Sequence, residues 1–78
     1  MEILSGRLDS GPEIKHMGSR ILVSMGLNRA RVVAWGALAA RCEYELEIGD
    51  SITAFGFWGR DGQFLMKDFC MHDQKETC

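Results

Sequence analysis

The sequence predicts an all-β chain: a tight five-stranded barrel with one short helix between its third and fourth strands. Three observations carry this expectation. Residues 20–27 and 29–36 alternate with a period of two, as strands require. One parity of the second segment (Ala30, Val32, Ala34 and Gly36) is small and apolar, which suits a narrow barrel interior. Residues 37–46 alone change period, with Leu38, Cys42 and Leu46 recurring every four positions and Ala39 beside them, the stripe of a short amphipathic helix.

Taken in order, the first strand is expected from Glu2 to Leu8 or Asp9, with Gly6 marking a bend. Ser10-Gly11-Pro12 should break it, and an extended piece should resume over residues 13–17 before a turn at Gly18-Ser19. The second strand, 20–27, turns Ile21, Val23, Met25 and Leu27 inward and Arg20, Leu22, Ser24 and Gly26 outward. Gly26-Leu27-Asn28 offers a tight hairpin into the third strand, whose outward parity is Arg29, Arg31, Val33 and Trp35. On the helix, Arg41 and Glu45 stand four apart and can pair. Gly49-Asp50 then turns the chain into the fourth strand, 51–58. Both faces of that strand are apolar, so either both are covered or one awaits a partner. Gly59-Arg60-Asp61-Gly62 reads as a hairpin turn into a fifth strand at about 63–70. One domain over residues 1–71 and a short polar tail, 72–78, complete the expectation.

A chain of 78 residues supports a single modest core, and oligomerisation would add burial. Its 46% hydrophobic and 26% charged residues are those of a globular protein. No run is long enough to span a membrane and no signal peptide opens the chain, so a cytoplasmic location is expected. The net charge of −2 hides an asymmetry. Residues 1–42 carry six cations against three acids, and residues 43–78 three against eight. Cys42, Cys70 and Cys78 include no CxxC pair, so neither a metal site nor a cofactor is expected. Gly56-Phe57-Trp58-Gly59 lacks the lysine of a phosphate loop, and His16 and His72 have no evident catalytic partner, so no enzyme is expected.

The outward row of the third strand is the chemistry-bearing feature. Two cations and an indole in sequence can hold a phosphate backbone and stack a base. Burying unpaired guanidinium groups would be costly, which places Arg29, Arg31 and Trp35 toward solvent. Arg20 and Arg7, also opposite the expected core, are weaker members of the same nucleic-acid-binding set. Phe55 and Phe57 can either extend the stacking platform or pack against a second copy, and an interface is favoured for at least one of them. Trp58 is expected to close the barrel mouth.

Read with its flanks, the chain resembles the OB-fold domain of bacterial single-stranded DNA-binding proteins, primosomal relatives included. The matching residues are Leu4-Ser5-Gly6-Arg7-Leu8 with Gly11-Pro12-Glu13-Ile14, then Val32-Val33-Ala34-Trp35-Gly36 with Leu38-Ala39, then Leu46, Gly49-Asp50, Ile52 and Gly56. The resemblance implies that Trp35 stacks on a base and that Arg31 holds a basic position of the binding strand, while Arg29 falls where the family often has another aromatic. It implies single-stranded DNA binding with little sequence preference, in replication, repair or recombination. It also implies assembly into a homodimer or larger homo-oligomer, with replication or repair proteins as further partners. The hairpin loops after strands two and four are shorter than the family's. Asp73-Gln74-Lys75-Glu76 is a poor counterpart of its acidic C-terminal tip, so that role is not carried over. Two alternatives stand beside this reading. The acidic second half and short loops suit a protein-interaction OB subunit of a larger assembly, and the same surface would serve an RNA-binding OB protein.

Overall fold

The computed structural model describes residues 1–72; the rest of the expected tail, with Cys78, lies outside the described residues. Five strands and one helix follow one another as β1 (Glu2–Met17), β2 (Arg20–Leu27), β3 (Ala30–Trp35), α1 (Ala37–Glu45), β4 (Ser51–Trp58) and β5 (Phe64–Met71). The strands close a barrel in the order β1-β2-β3-β5-β4. Four neighbouring pairs, β1–β2, β1–β4, β2–β3 and β4–β5, are antiparallel, and β3 meets β5 in parallel through Val32↔Phe64 and Val33↔Leu65. The fold is the all-β barrel with a single helix between β3 and β4 that the patterning predicts.

The first strand differs from expectation. It runs unbroken for 16 residues, its early part paired with β4 and its later part with β2. The residues read as a break are instead the site of two register shifts, between Leu8 and Ser10 and between Ser10 and Glu13. Extra residues in one strand bend it and increase its twist, and here that bend lets one strand serve both neighbours and close the barrel. Gly11 sits there with φ 79, and a Cβ on it would meet the Ser24 carbonyl oxygen and the Met25 backbone. The bend therefore needs glycine.

The second difference concerns Arg29. It lies in the turn and not in β3, because Asn28 (φ 52) and Arg29 (φ 67) form a two-residue link between the paired residues Leu27 and Ala30. Positive φ at both central residues is the type I′ geometry that matches strand twist. The Arg29 N–H donates to Asp9 Oδ2 at 2.9 Å, which ties this turn to β1.

Inward parity builds the core as expected. Val23, Met25 and Leu27 from β2, Val32 and Ala34 from β3, and Ile52 and Ala54 from β4 are buried with Leu8, Phe64, Met66 and Phe69. The helix closes one end with Ala39, Cys42 and Leu46, and Leu38 packs partly buried against the same cluster. Burial pushes the Cys42 thiol up to about 12. Arg41 pairs with Glu45 at 3.2 Å, and it also reaches Asp68 at 3.1 Å while its guanidinium lies 4.3 Å from the Phe69 ring centroid. That second set of contacts joins α1 to β5 across 27 residues of chain. Trp58, an exposed residue at the end of β4, meets Phe64 edge-on, with centroids 5.1 Å apart and planes at 75°. Among the described residues no helix is long and apolar enough to cross a membrane.

Candidate nucleic-acid interface

Strand register arranges the outer surface of β1, β2, β3, β5 and β4 into rows, because side chains directly opposite across a ladder are neighbours. One row is Lys15, Leu22 and Trp35. The next is Glu13, Ser24, Val33, Leu65 and Phe57. A third is Ser10, Gly26 and Arg31. The face thus passes from a cationic corner at the β2–β3 turn to an aromatic corner at the end of β3, over a floor of Leu22, Val33 and Leu65.

Three hollows lie along this face. Around the aromatic corner, a hollow of about 350 Å³ is lined by Leu22, Val33, Trp35 and Leu65, with Gly59, Asp61 and Gln63 at its rim. Beside it a second, about 260 Å³, shares Leu22, Val33 and Gln63 and adds Lys15, Glu13, Ser24 and Arg31. The third, about 220 Å³, holds Arg29 and Arg31 with Asp9, Ser10 and Gly26. Shared walls make the three into one broken groove. Arg31 touches two of the hollows and is steadied there by a hydrogen bond from its Nη1 to Ser24 Oγ. A guanidinium has five donors, so Arg31 keeps most of its hydrogen-bonding capacity for a ligand.

Local sequence explains each placement. Gly36, at φ 69, turns the chain out of β3 immediately after Trp35 and leaves the indole at the end of a strand. The Gly36 N–H donates to the Ile21 carbonyl at 2.9 Å, so this exit is pinned to β2. Asp61 Oδ1 accepts from the Gln63 N–H at 3.1 Å and fixes the β4–β5 turn that rims the aromatic hollow.

The site residues expected from sequence are distributed as follows. Trp35, Arg31 and Arg29 line the groove. Arg20 lines none of the three hollows; its guanidinium carbon lies 4.3 Å from the Trp35 ring centroid. Arg7 stands opposite Ser51 of β4 and lines none of the three hollows, although its carbonyl accepts from the Asn28 N–H of the β2–β3 turn at 3.2 Å. The two phenylalanines separate as well. Phe55 lies across from Ile3 of β1, while Phe57 lies across from Leu65, a wall of the aromatic hollow. Lys15, Ser24, Leu65 and Gln63 were not singled out from sequence. Ser24 was legible as outward by parity, but Leu65 and Gln63 join the site through the β3–β5 pairing, which no local pattern encodes.

The charge of the groove is nearly balanced. Lys15, Arg29 and Arg31 are its cations, and Asp9, Glu13 and Asp61 its acids. Asp9 is partly occupied by the Arg29 backbone. Such a surface offers an anionic chain a few contacts and a stacking ring, not a strong field. Among the described residues no cluster of three or more His, Cys, Asp or Glu side chains could hold a metal ion.

The barrel has close counterparts among solved structures. The SSB domain of a Synechococcus sp. protein superposes with a TM-score of 0.77 at 16% identity, covering 86% of this chain and 89% of that one. The second single-stranded DNA-binding protein (SSBb) of Mycobacterium smegmatis superposes with a TM-score of 0.79 at 17% identity, covering 95% of this chain and 89% of that one. The fold is an SSB-type OB barrel. At the level of sequence, no family model and no curated protein matches the chain. The SSB-type barrel here has a two-residue β2–β3 turn and a compact β4–β5 turn, closed by Gly59 N–H to the Gln63 carbonyl at 2.7 Å.

Proposed function

We propose that the chain binds single-stranded DNA with little sequence preference, by stacking a base on Trp35 and holding the backbone with Arg31, Arg29 and Lys15. The observation that carries this reading is the single groove that joins an indole, an apolar floor and three cations on one side of an SSB-type barrel. Trp35 lines an open hollow, and the cations line the two hollows that continue from it through Leu22, Val33 and Gln63 and then through Arg31. Each base stacked on an aromatic side chain contributes roughly 1–3 kcal/mol and accepts any sequence, since every base has a π-face. Work in replication, repair or recombination and assembly as a homodimer or larger oligomer belong to the same proposal. The neighbours named as SSB domains and as a single-stranded DNA-binding protein support it. Binding without catalysis is part of the same proposal.

The test is a titration of a Trp58→Phe protein, in which Trp35 is the remaining tryptophan, with oligo(dT), oligo(U) and a duplex of the same length. Quenching by oligo(dT), absent with duplex, is the expected result. Quenching by oligo(U) alone would make this an RNA-binding protein, and no response to any of the three would leave the protein-interaction reading in its place.

A further inference from the structure

The Trp35 ring has one neighbour that the groove does not explain. Arg20, at the start of β2, places its guanidinium carbon 4.3 Å from the indole centroid, yet it lines none of the hollows along the groove. Its own ladder partner is Met17, on the far side of Leu22 from the cationic corner. Arg20 therefore covers the indole without entering the hollow of about 350 Å³ that Trp35 helps to line. From this geometry we infer that Arg20 is a positioning residue for base stacking: it fixes the plane of Trp35 and does not itself ligate phosphate. The inference rests on the function proposed above.

The physical need is evident at that position. Trp35 is the last residue of its strand, its direct cross-strand neighbour is Leu22, and the chain departs at Gly36. An indole at the end of a strand has fewer ladder neighbours to fix its side-chain torsions than one in the strand's middle. A planar guanidinium stacked on the ring restricts that freedom, and Arg stacks on aromatic faces better than Lys because its fork is planar and more weakly hydrated. Ordering the ring before the base arrives lowers the entropy lost on binding. Stacked this way, the cation also draws on the same π-cloud that would otherwise bind a solvent cation at the base-stacking surface.

Salt dependence separates positioning from phosphate contact. Losing one phosphate contact to a single strand lowers the steepness of log K against log salt by about 0.7. A positioning role leaves that slope unchanged while affinity falls. In the Trp58→Phe background, Arg20→Ala is expected to weaken oligo(dT) binding about two- to five-fold, the worth of an exposed cation–π contact. The emission of Trp35 in the free protein should shift to the red, and the salt slope should stay that of the parent. Arg20→Lys should restore part of the affinity, since an ammonium can also sit over the ring but cannot stack on it. A slope reduced by about 0.7 in Arg20→Ala would make Arg20 a phosphate ligand and overturn the inference. Unchanged affinity would overturn it too, and both results would leave DNA binding intact. If the parent binds no oligonucleotide, the proposed function and this inference fall together, and the red shift on Arg20→Ala would then record a purely structural contact.

Discussion

Arg31 is the residue on which the electrostatics of the groove turn, because it borders two hollows and is anchored by Ser24. Arg31→Ala is expected to weaken binding evenly across base sequences and to flatten the salt slope by about 0.7, the share of one single-strand phosphate. A slope that does not move would assign Arg31 to the Ser24 contact alone. Arg7 gives an internal comparison. It is as cationic as Arg31 but lies opposite Ser51 and lines none of the three hollows, so Arg7→Ala should change oligo(dT) affinity less than Arg31→Ala at the same salt concentration. Parity alone puts Arg7 and Arg31 both on the outside of the barrel. Only the strand pairing shows that they have different neighbours, Arg7 standing opposite Ser51 of β4 and Arg31 opposite Gly26 of β2.

At the scale of elements, the β2–β3 hairpin stores strain beside the site. Arg29 holds φ 67, a conformation that costs an L-residue roughly 1–2 kcal/mol. Glycine relieves that cost but loses about 0.5–1 kcal/mol to its larger unfolded-state freedom. Arg29→Gly should therefore stabilise the fold by about 0.5 kcal/mol in urea unfolding while weakening oligo(dT) binding. A fold destabilised by that change would mean that the Arg29 side chain supports the turn. The helix makes a prediction of its own through Cys42. Its thiol keeps its proton to about 12 when folded, against an ordinary 9.0, so the unfolded chain ionises first as pH rises. Stability from this group is complete below pH 9.0 and is lost as pH climbs toward about 12, at up to about 1.4 kcal/mol per pH unit. Between pH 8 and pH 10 the parent should lose more stability than Cys42→Ala, and equal losses would contradict the burial argument. The elements also show what the sequence made legible. The helix stripe of Leu38, Cys42 and Leu46 and the inward parity of β2 and β3 were readable because each is a local period. The Asn28-Arg29 turn was hidden because arginine stands where Asn-Gly would have announced it. The β1 bend was misread because Gly-Pro marks a break and a bulge with the same residues.

At the scale of the molecule, the apolar surface continues past the groove. Phe57 is 46% exposed and adjoins Leu65, while Ile3, 64% exposed, adjoins Phe55. Burying one phenylalanine contributes roughly 1.5–3 kcal/mol, and a symmetric contact uses each ring twice. A homodimer at micromolar concentration is expected, with Phe55→Asp shifting it toward monomer at unchanged affinity per chain. Phe57→Asp should impair both assembly and binding, because Phe57 pairs across the ladder with Leu65, a wall of the aromatic hollow. Light scattering with oligo(dT) titration on the two variants reads both properties, and a parent that stays monomeric at high concentration would end the interface. In the proposed binding mode the balanced charge of the groove leaves stacking as the larger contribution to affinity, so Trp35 carries the central claim. The most direct measurement is the oligo(dT) affinity and the urea-unfolding midpoint of Trp35→Ala, taken together on one preparation. A loss of roughly 1–3 kcal/mol in binding with cooperative unfolding retained is the expected outcome. A variant that no longer folds cooperatively, from a parent indifferent to oligonucleotides, would show Trp35 to be a structural residue and contradict the account.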